Sequence, residues 1–569
     1  MHIILVRLRG SGYNLGASNM PIRPSPLHRW ILRFSLCLAL VMVLAGLAEA
    51  QLQVASLGTD DAHIFFVYGR NLISGHGLVY NPGGERVEGF TSFLWMILVA
   101  GAVALSSQPE PLLLAVCIAL TAASLSAMLM VVDHSSWISW RGVFALAWCA
   151  AWPGFIAWST VTLMDNALWL SMLTISTLAC LHSRSSLPLC LVIPPLLLSR
   201  PEAALWVPGL LAVIALRGRA LSDLPKGIRA VAAPLAIYLL TLGGLALFRM
   251  LYFGYPLPNT YYAKVSPDLA YNLAQGARYL IAFLYANPQT LLGVVPALAA
   301  LPIAVMWRRA QARSLGEQPD PGSVSRYLAL SAMALLGLLI PVSSGGDHFS
   351  EFRFYQPVYP LLLTPLFGLV EVIPWRPRRE VSGAVFMLGS VLLALAPSST
   401  WFNQGYLGGF RHEMRIADEG ERTGLALNGL FETGPPSIGV VRSGGIAWTY
   451  RGQVIDLLGL NNTAMGHSPG ERRGIKNHAA FNSEVFFHLR PTLLLPTAET
   501  TTSFCAGYPE SYAWNNSVLK GLLEDAQFLS EYRLMAISDK GSQVIAYVRS
   551  SALARILAPY VRARPFACP

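Results

Sequence analysis

Charge is scarce in this chain. Only 13% of its 569 residues are Asp, Glu, Lys or Arg, against 54% hydrophobic residues, and the mean hydropathy is +0.47. Soluble domains carry about a quarter of their residues as charges, which excludes a wholly soluble fold. Signatures of nucleotide and hydrolytic chemistry are missing too: there is no Walker A loop, GxSxG elbow, HExxH helix or GxGxxG fingerprint. That removes any sequence basis for ATP-driven transport by this chain. No Cys/His spacing suggests zinc. Five of the seven cysteines (Cys37, Cys117, Cys149, Cys180 and Cys190) lie in apolar segments, as packing residues do. Cys505 and Cys568 lie in the polar tail, where a disulfide requires an extracytoplasmic setting.

What the chain does have is apolar runs of about 16 residues or more, recurring from Trp30 to Pro397. From Ser398 onward no run is long enough to span. The reading is a polytopic α-helical membrane protein with a C-terminal soluble α/β domain. It divides into a basic tail (1–30), a transmembrane domain (31–397) whose first outer loop is 49–91, and the soluble domain (398–569). The net charge of +10 comes largely from Arg clusters between apolar runs, as the positive-inside rule requires, so nucleic acid is not an expected partner.

Arg7, Arg9, Arg23, Arg29 and Arg33 put the N-terminus inside, and a first span at 31–48 carries the following loop out. That span ends in Ala48-Glu49-Ala50, which resembles a signal-peptidase site, but the apolar runs that follow favour an uncleaved anchor. Segment 92–107 is read as an interfacial helix, because only then do the later basic loops stay inside. Spans follow at 111–132, 143–158, 167–181, 187–199, 203–216, 230–253, 279–306, 327–342, 357–373 and 381–397, about eleven in all. The two spans flanking Arg200-Pro201-Glu202 are short and read as half-helices meeting at Pro201. This parity leaves the tail extracytoplasmic.

The same parity gathers the unusual polar residues on the outer face. Asp60 and Asp61 open an amphipathic run; one is a candidate general base, its pKa raised by its neighbour, and both suit the first turn of a helix. Arg86 and Glu88 lie just beyond the Asn81-Pro82-Gly83-Gly84 turn. Asp165 begins a span, and Arg200 and Glu202 interrupt an apolar stretch of about thirty residues, where charge marks a site by default. Arg249 could meet a lipid phosphate, with Asn259, Tyr261, Tyr262 and Lys264 nearby for sugar or phosphate, although tyrosines here also suit an interfacial belt. Asp347, His348 and Arg353 complete the outer set.

In the tail a helix is predicted over 411–432, with strands at 437–441, 453–458, 492–495, 533–537 and 543–548. The last two flank the hairpin signal Asp539-Lys540-Gly541. Trp448, Tyr450, Asp456, Asn461, Asn462 and His467 are candidate glycan contacts; a stabilising cap is the alternative.

The stretch TDDAHIFFVYGRNLISGHGLVYNPGGERVEGFTSFLW, from Thr59 to Trp95, resembles the first outer loop of the GT-C superfamily of integral membrane glycosyltransferases. It is most similar to the branch that holds the terminal arabinofuranosyltransferases. FGYPLPNTYYAK (253–264) and GGDHFSEFRFYQPVYPLL (345–362) resemble later motifs of that branch; MDN (164–166) and RPE (200–202) are weak alone. Two departures stand out, Asp165 where the branch often has Glu and His63 where it has an aromatic. The resemblance implies a polyprenyl-phosphate sugar donor, a glycan, lipid or protein acceptor, and an inverting transfer outside a bacterial inner membrane. Asp60 or Asp61 would be the base, with no cofactor or metal. Rival readings are a lipid-linked sugar flippase and an envelope glycan polymerase or ligase. Neither the donor sugar nor the oligomeric state follows from the sequence.

Overall fold

In the computed structural model the described residues are 25–132, 138–182, 186–216, 224–312, 321–373, 384–385, 387–390, 392, 407–432, 434–495, 511–539, 542–553 and 562–566. Helix α1 (Pro26–Leu52) starts on Ser25, whose side chain accepts from the His28 N–H, with Pro26 in its first turn; it ends where Gln53 turns left-handed (φ 51°). Then come α2 (Asp60–Ile73), α3 (Phe93–Leu105), α4 (Glu110–Val132), α5 (Trp140–Ala150), α6 (Pro153–Ser159), α7 (Asn166–His182), α8 (Leu187–Ser199), α9 (Ala203–Leu216) and α10 (Leu224–Phe253). The short α11 (Asn259–Lys264) leads into α12 (Leu269–Ala286), α13 (Leu291–Ala312) and α14 (Pro321–Ser343). A 3₁₀ segment (Ser350–Val358) precedes α15 (Tyr359–Leu362) and α16 (Thr364–Val372).

Among the described residues, five helices are long and apolar enough to cross a membrane: Leu27–Leu52, Glu110–Val132, Pro225–Phe253, Pro288–Arg309 and Pro321–Ser343. A sixth counts if α5 and α6, bent by 78° at their break, form one broken span. Among the described residues that makes five or six such helices, against the eleven or so spans expected. The segment expected at 92–107 forms a helix, α3, of 13 residues, and the two short helices α8 and α9 meet at Arg200-Pro201-Glu202 as expected. The span expected at 279–306 does not exist as such: α12 ends at Ala286 and a turn through Pro288–Thr290 starts α13. The stretch expected at 357–373 is cut by Pro357, Pro360 and Pro365, each removing a backbone donor. The last expected span, 381–397, lies mostly outside the described residues, as do Cys505 and Cys568.

The tail opens with α17 (Gly408–Leu430), close to the predicted 411–432, and carries a six-stranded mixed sheet. Its order is β2-β1-β3-β5-β4-β6, with β1 (Ile438–Val440), β2 (Val454–Asp456), β3 (Leu493–Leu495), β4 (Tyr532–Ser538), β5 (Gln543–Arg549) and β6 (Arg562–Pro565). β1 is parallel to β2 and β3, and the remaining pairs are antiparallel. The short helix α18 (Gly445–Thr449) makes the crossover from β1 to β2. Five strands fall where the sequence places them. β6, Arg-Ala-Arg-Pro, is an exposed edge with no apolar alternation to announce it.

The tail is seated on the loop between α1 and α3. Asn81 pairs with β2 both ways, donating to the Val454 carbonyl and accepting from its N–H, each at 2.9 Å. Tyr80 donates to the Ser443 carbonyl, and Arg70 to the carbonyls of Ala447 and Trp448. The Asp60 loop and the tail therefore share one side of the molecule. This seating occupies several of the candidate glycan contacts. Trp448 lies under Arg70, Asp456 accepts from Leu458 and Asn461 within its own turn, and His467 stacks on Tyr255 and Tyr262 at 3.8 and 4.1 Å.

Candidate active site

Helix α2 is amphipathic along two faces, and they do different jobs. Before it, the Gly58 and Thr59 N–H groups donate to the carbonyls of Val161 and Thr162, which fixes its start beside the 160–166 loop. Asp60 faces the tail. Its carboxylate accepts from the Gly444 and Gly445 N–H groups at 2.9 and 2.8 Å. Burial raises its pKa against those two hydrogen bonds, and the repulsion from Asp61 expected from the sequence is a smaller contribution. Only glycine fits at 444, because a Cβ there would lie 1.7 Å from the Asp60 carbonyl oxygen.

Asp60 therefore reads as the tail's anchor. Asp60→Ala strips the acceptor from two buried donors, and a loss of about 2–4 kcal/mol in stability is expected from the two orphaned groups. Asp60→Asn keeps one acceptor oxygen and loses less. Thermal unfolding together with limited proteolysis of the tail reads the effect; a wild-type profile for Asp60→Ala would remove the anchoring role.

Asp61 points the other way, into a cavity of about 250 Å³. Lys264 Nζ and Arg353 Nη1 each lie 3.6 Å from its Oδ2. Burial would raise its pKa, but Lys264, Arg353 and His348 outweigh burial and hold the group below the ordinary carboxylate range. Arg353 is fixed by Asp347 at 2.6 Å, by Phe349, and by Phe354 across its guanidinium. Asp347 in turn meets His348 at 3.3 Å and accepts from Asn477 at 2.8 Å. Although buried, it is driven far down by Arg353 and His348.

Also lining the cavity, and against the same Phe354 ring as Arg353, Arg200 grips Glu202 through two nitrogens, at 3.1 and 2.8 Å, and Asp165 at 2.8 Å. The rest of the lining is largely apolar, including Ile64, Phe65, Phe90 and Met164; Leu205, Leu257 and Tyr261 at the cavity are exposed on the protein surface. Of the residues singled out from sequence, Asp61, Asp165, Arg200, Glu202, Tyr261, Lys264 and Arg353 line this cavity, with Asp347 and His348 directly behind Arg353.

The remainder are elsewhere. Arg249 is buried in a pair with Glu88, with contacts of 2.8, 2.9 and 3.1 Å. Asn259 donates to the carbonyls of Gly459 and Leu460. Tyr262 packs on His467, and Arg86 caps the ring of Tyr252 at 4.6 Å.

Sequence reading missed Glu413 and Asn477, which the tail brings in from far along the chain. Glu413 sits on α17, where burial and then repulsion from Asp61 and Asp60 push it up to about 8, with Arg442 and Arg353 opposing. Its folded pKa lies above its ordinary 4.5, so the folded state binds the extra proton. That stability is present below about pH 4.5 and is lost as pH rises through about 8. Relative to Glu413→Gln, the wild type is expected to lose about 4 kcal/mol between pH 5 and 8.5. Melting curves across that range check it, and parallel pH profiles would contradict it.

No protein-family model matches the sequence, and no curated protein matches it. Among solved structures, the chain superposes on an oligosaccharyltransferase of Archaeoglobus fulgidus with a TM-score of 0.44 and 11% identity, over 90% of this chain and 73% of that one. The likeness is too distant to lend any residue a role.

Proposed function

We propose that this protein is a GT-C-type glycosyltransferase that moves a sugar from a polyprenyl-phosphate donor to a cell-envelope glycan, lipid or protein. One observation carries the reading. A carboxylate, Asp61, stands between two cations, each 3.6 Å away, in a largely apolar cavity with exposed Leu205 and Leu257 among its lining residues. A lipid-linked sugar phosphate brings the matching parts: an apolar chain, an anion and a reacting carbon between them.

The reaction is a single displacement. The acceptor hydroxyl oxygen bonds to the anomeric carbon as the bond from that carbon to the phosphate oxygen breaks, with inversion. Lys264 and Arg353 take up the charge that grows on the leaving polyprenyl phosphate. Asp61 receives the hydroxyl proton. A carboxylate held this acidic is a weak base towards an intact alcohol, so the proton moves late, once the forming bond has made the oxygen cationic. Arg200, held by Asp165 and Glu202, lines the cavity where sugar hydroxyls would sit.

In this reading the shared side of cavity and tail is extracytoplasmic, in a bacterial inner membrane. A flippase needs polar groups along a path through the membrane, whereas here they converge on one cavity. The test offers purified protein radiolabelled polyprenyl-phosphate sugars and an envelope extract. Labelled product from wild type but not from Lys264→Ala/Arg353→Ala supports the reading. Undiminished transfer by that double variant would sink it.

A further inference from the structure

The face of α2 that does not look into the cavity carries a second group of side chains. His63 lies one turn beyond Asp60 and is fully buried. Its Nδ1 is 2.9 Å from the Thr59 carbonyl oxygen. That bond places a ring proton on Nδ1 and turns Nε2 away from Thr59, the orientation that metal-binding imidazoles take. Nε2 faces Glu421 Oε1, 2.7 Å away on α17. Glu110, in the first turn of α4, completes the group: one ligand atom from each of the three lies within 4.8 Å of the others.

The three come from separate parts of the chain, and no spacing in the sequence links them. Two carboxylates and one imidazole leave the group at −1 even with the imidazole protonated. The charges acting on Glu110 are those of His63 and Glu421, with no Arg or Lys among them.

We propose that His63, Glu110 and Glu421 form a divalent transition-metal site, with zinc the best match, that fastens the tail to the first loop. One nitrogen and two carboxylate oxygens suit zinc, whose three-ligand sites keep a fourth position open. Glu421 is partly exposed, with 21% of its side chain accessible, so water can fill that position. Ligand bonds of about 2.0–2.2 Å set ligand atoms about 3.3 Å apart. The His63–Glu421 contact therefore opens by about half an ångström when the ion enters.

The ion is structural. It ties α17 and α4 to the same face of α2 that Asp60 docks on Gly444 and Gly445, and so fixes the helix rotation that aims Asp61 into the cavity. His63 and Glu421 are positioning residues in this account.

The test uses full-length protein in detergent, stripped with chelator and then titrated with zinc alone. Metal content by mass spectrometry and Tm are read on wild type, His63→Ala, Glu110→Gln and Glu421→Gln. About one zinc ion per chain and a raised Tm are expected for wild type, with affinity weakened by more than about tenfold in each variant. Glu421→Gln can donate its side-chain amide N–H to the Nε2 of a neutral His63, so it separates loss of the ion from loss of the contact. Glu110→Gln, at a partly exposed helix start, covers the case in which His63→Ala fails to fold. Absence of zinc from wild type, or equal zinc in wild type and Glu421→Gln, overturns the proposal and leaves a plain His63–Glu421 ion pair.

Discussion

Asp61→Asn is expected to lower the transfer rate about 10³-fold, or about 4 kcal/mol in the barrier, while leaving the donor KM unchanged or lower. The asymmetry follows from the geometry. Asn is close to Asp in size and cannot take a proton. It also removes the anion that Lys264 and Arg353 share at 3.6 Å, so both cations are more available to a donor phosphate. A residue that merely shaped the cavity would raise KM and lower kcat together.

The pH profile offers a second check. Asp61 is held below the ordinary carboxylate range, so its charged form is present above that depressed value and is lost only as pH falls through it. An acid limb of kcat/KM set by Asp61 therefore falls below about pH 4, the usual carboxylate value. Steady-state kinetics on monodisperse protein decide the matter; wild-type turnover by Asp61→Asn would end its role as the base.

Breaking the Arg249–Glu88 pair should cost about 3–5 kcal/mol of stability, because removing one partner leaves the other as a buried, uncompensated charge. Arg249→Met and Glu88→Ala are the single variants. Burial pushes Glu88 up to about 7 even with Arg249 upon it, a sign that ionising the acid here is costly. The pair is thus a geometric fixture more than a net source of stability. Glu88→Ala combined with Arg249→Met should recover much of the loss.

The fixture matters to the cavity. The Glu88 carbonyl accepts from the Asn259 N–H at 3.1 Å, at the start of the helix that carries Lys264. Gly89, Phe90 and Thr91 beside it line the cavity. Tyr68 holds the same loop, donating to the Val87 carbonyl at 2.8 Å and accepting from the Gly89 N–H at 3.0 Å. Melting of the two singles and the double as a cycle tests the account; additive losses would contradict it.

The sequence by itself determined the outline, because its signals are local. Scarce charge and long apolar runs separate a membrane part from a polar tail, and short strand-like runs with one hairpin signal placed five strands of the sheet. A Pro flanked by charges marked the break between α8 and α9. Charge stranded beside apolar sequence also picked out Asp61, Asp165, Arg200, Glu202, Lys264 and Arg353.

What only the tertiary structure decided is which partner each charge meets. Asp60 and Asp61 are neighbours in sequence, yet successive helix positions lie about 100° apart around the axis. One therefore meets the Gly444 and Gly445 N–H groups and the other meets Lys264 and Arg353. Arg249, the expected phosphate ligand, is taken by Glu88, 161 positions away. Span number likewise escaped composition, since α12 and α13 together read as one apolar run until Pro288 and the turn it starts divide them. A side chain's partner depends on chain closure over hundreds of residues, and no local pattern of residue types encodes it.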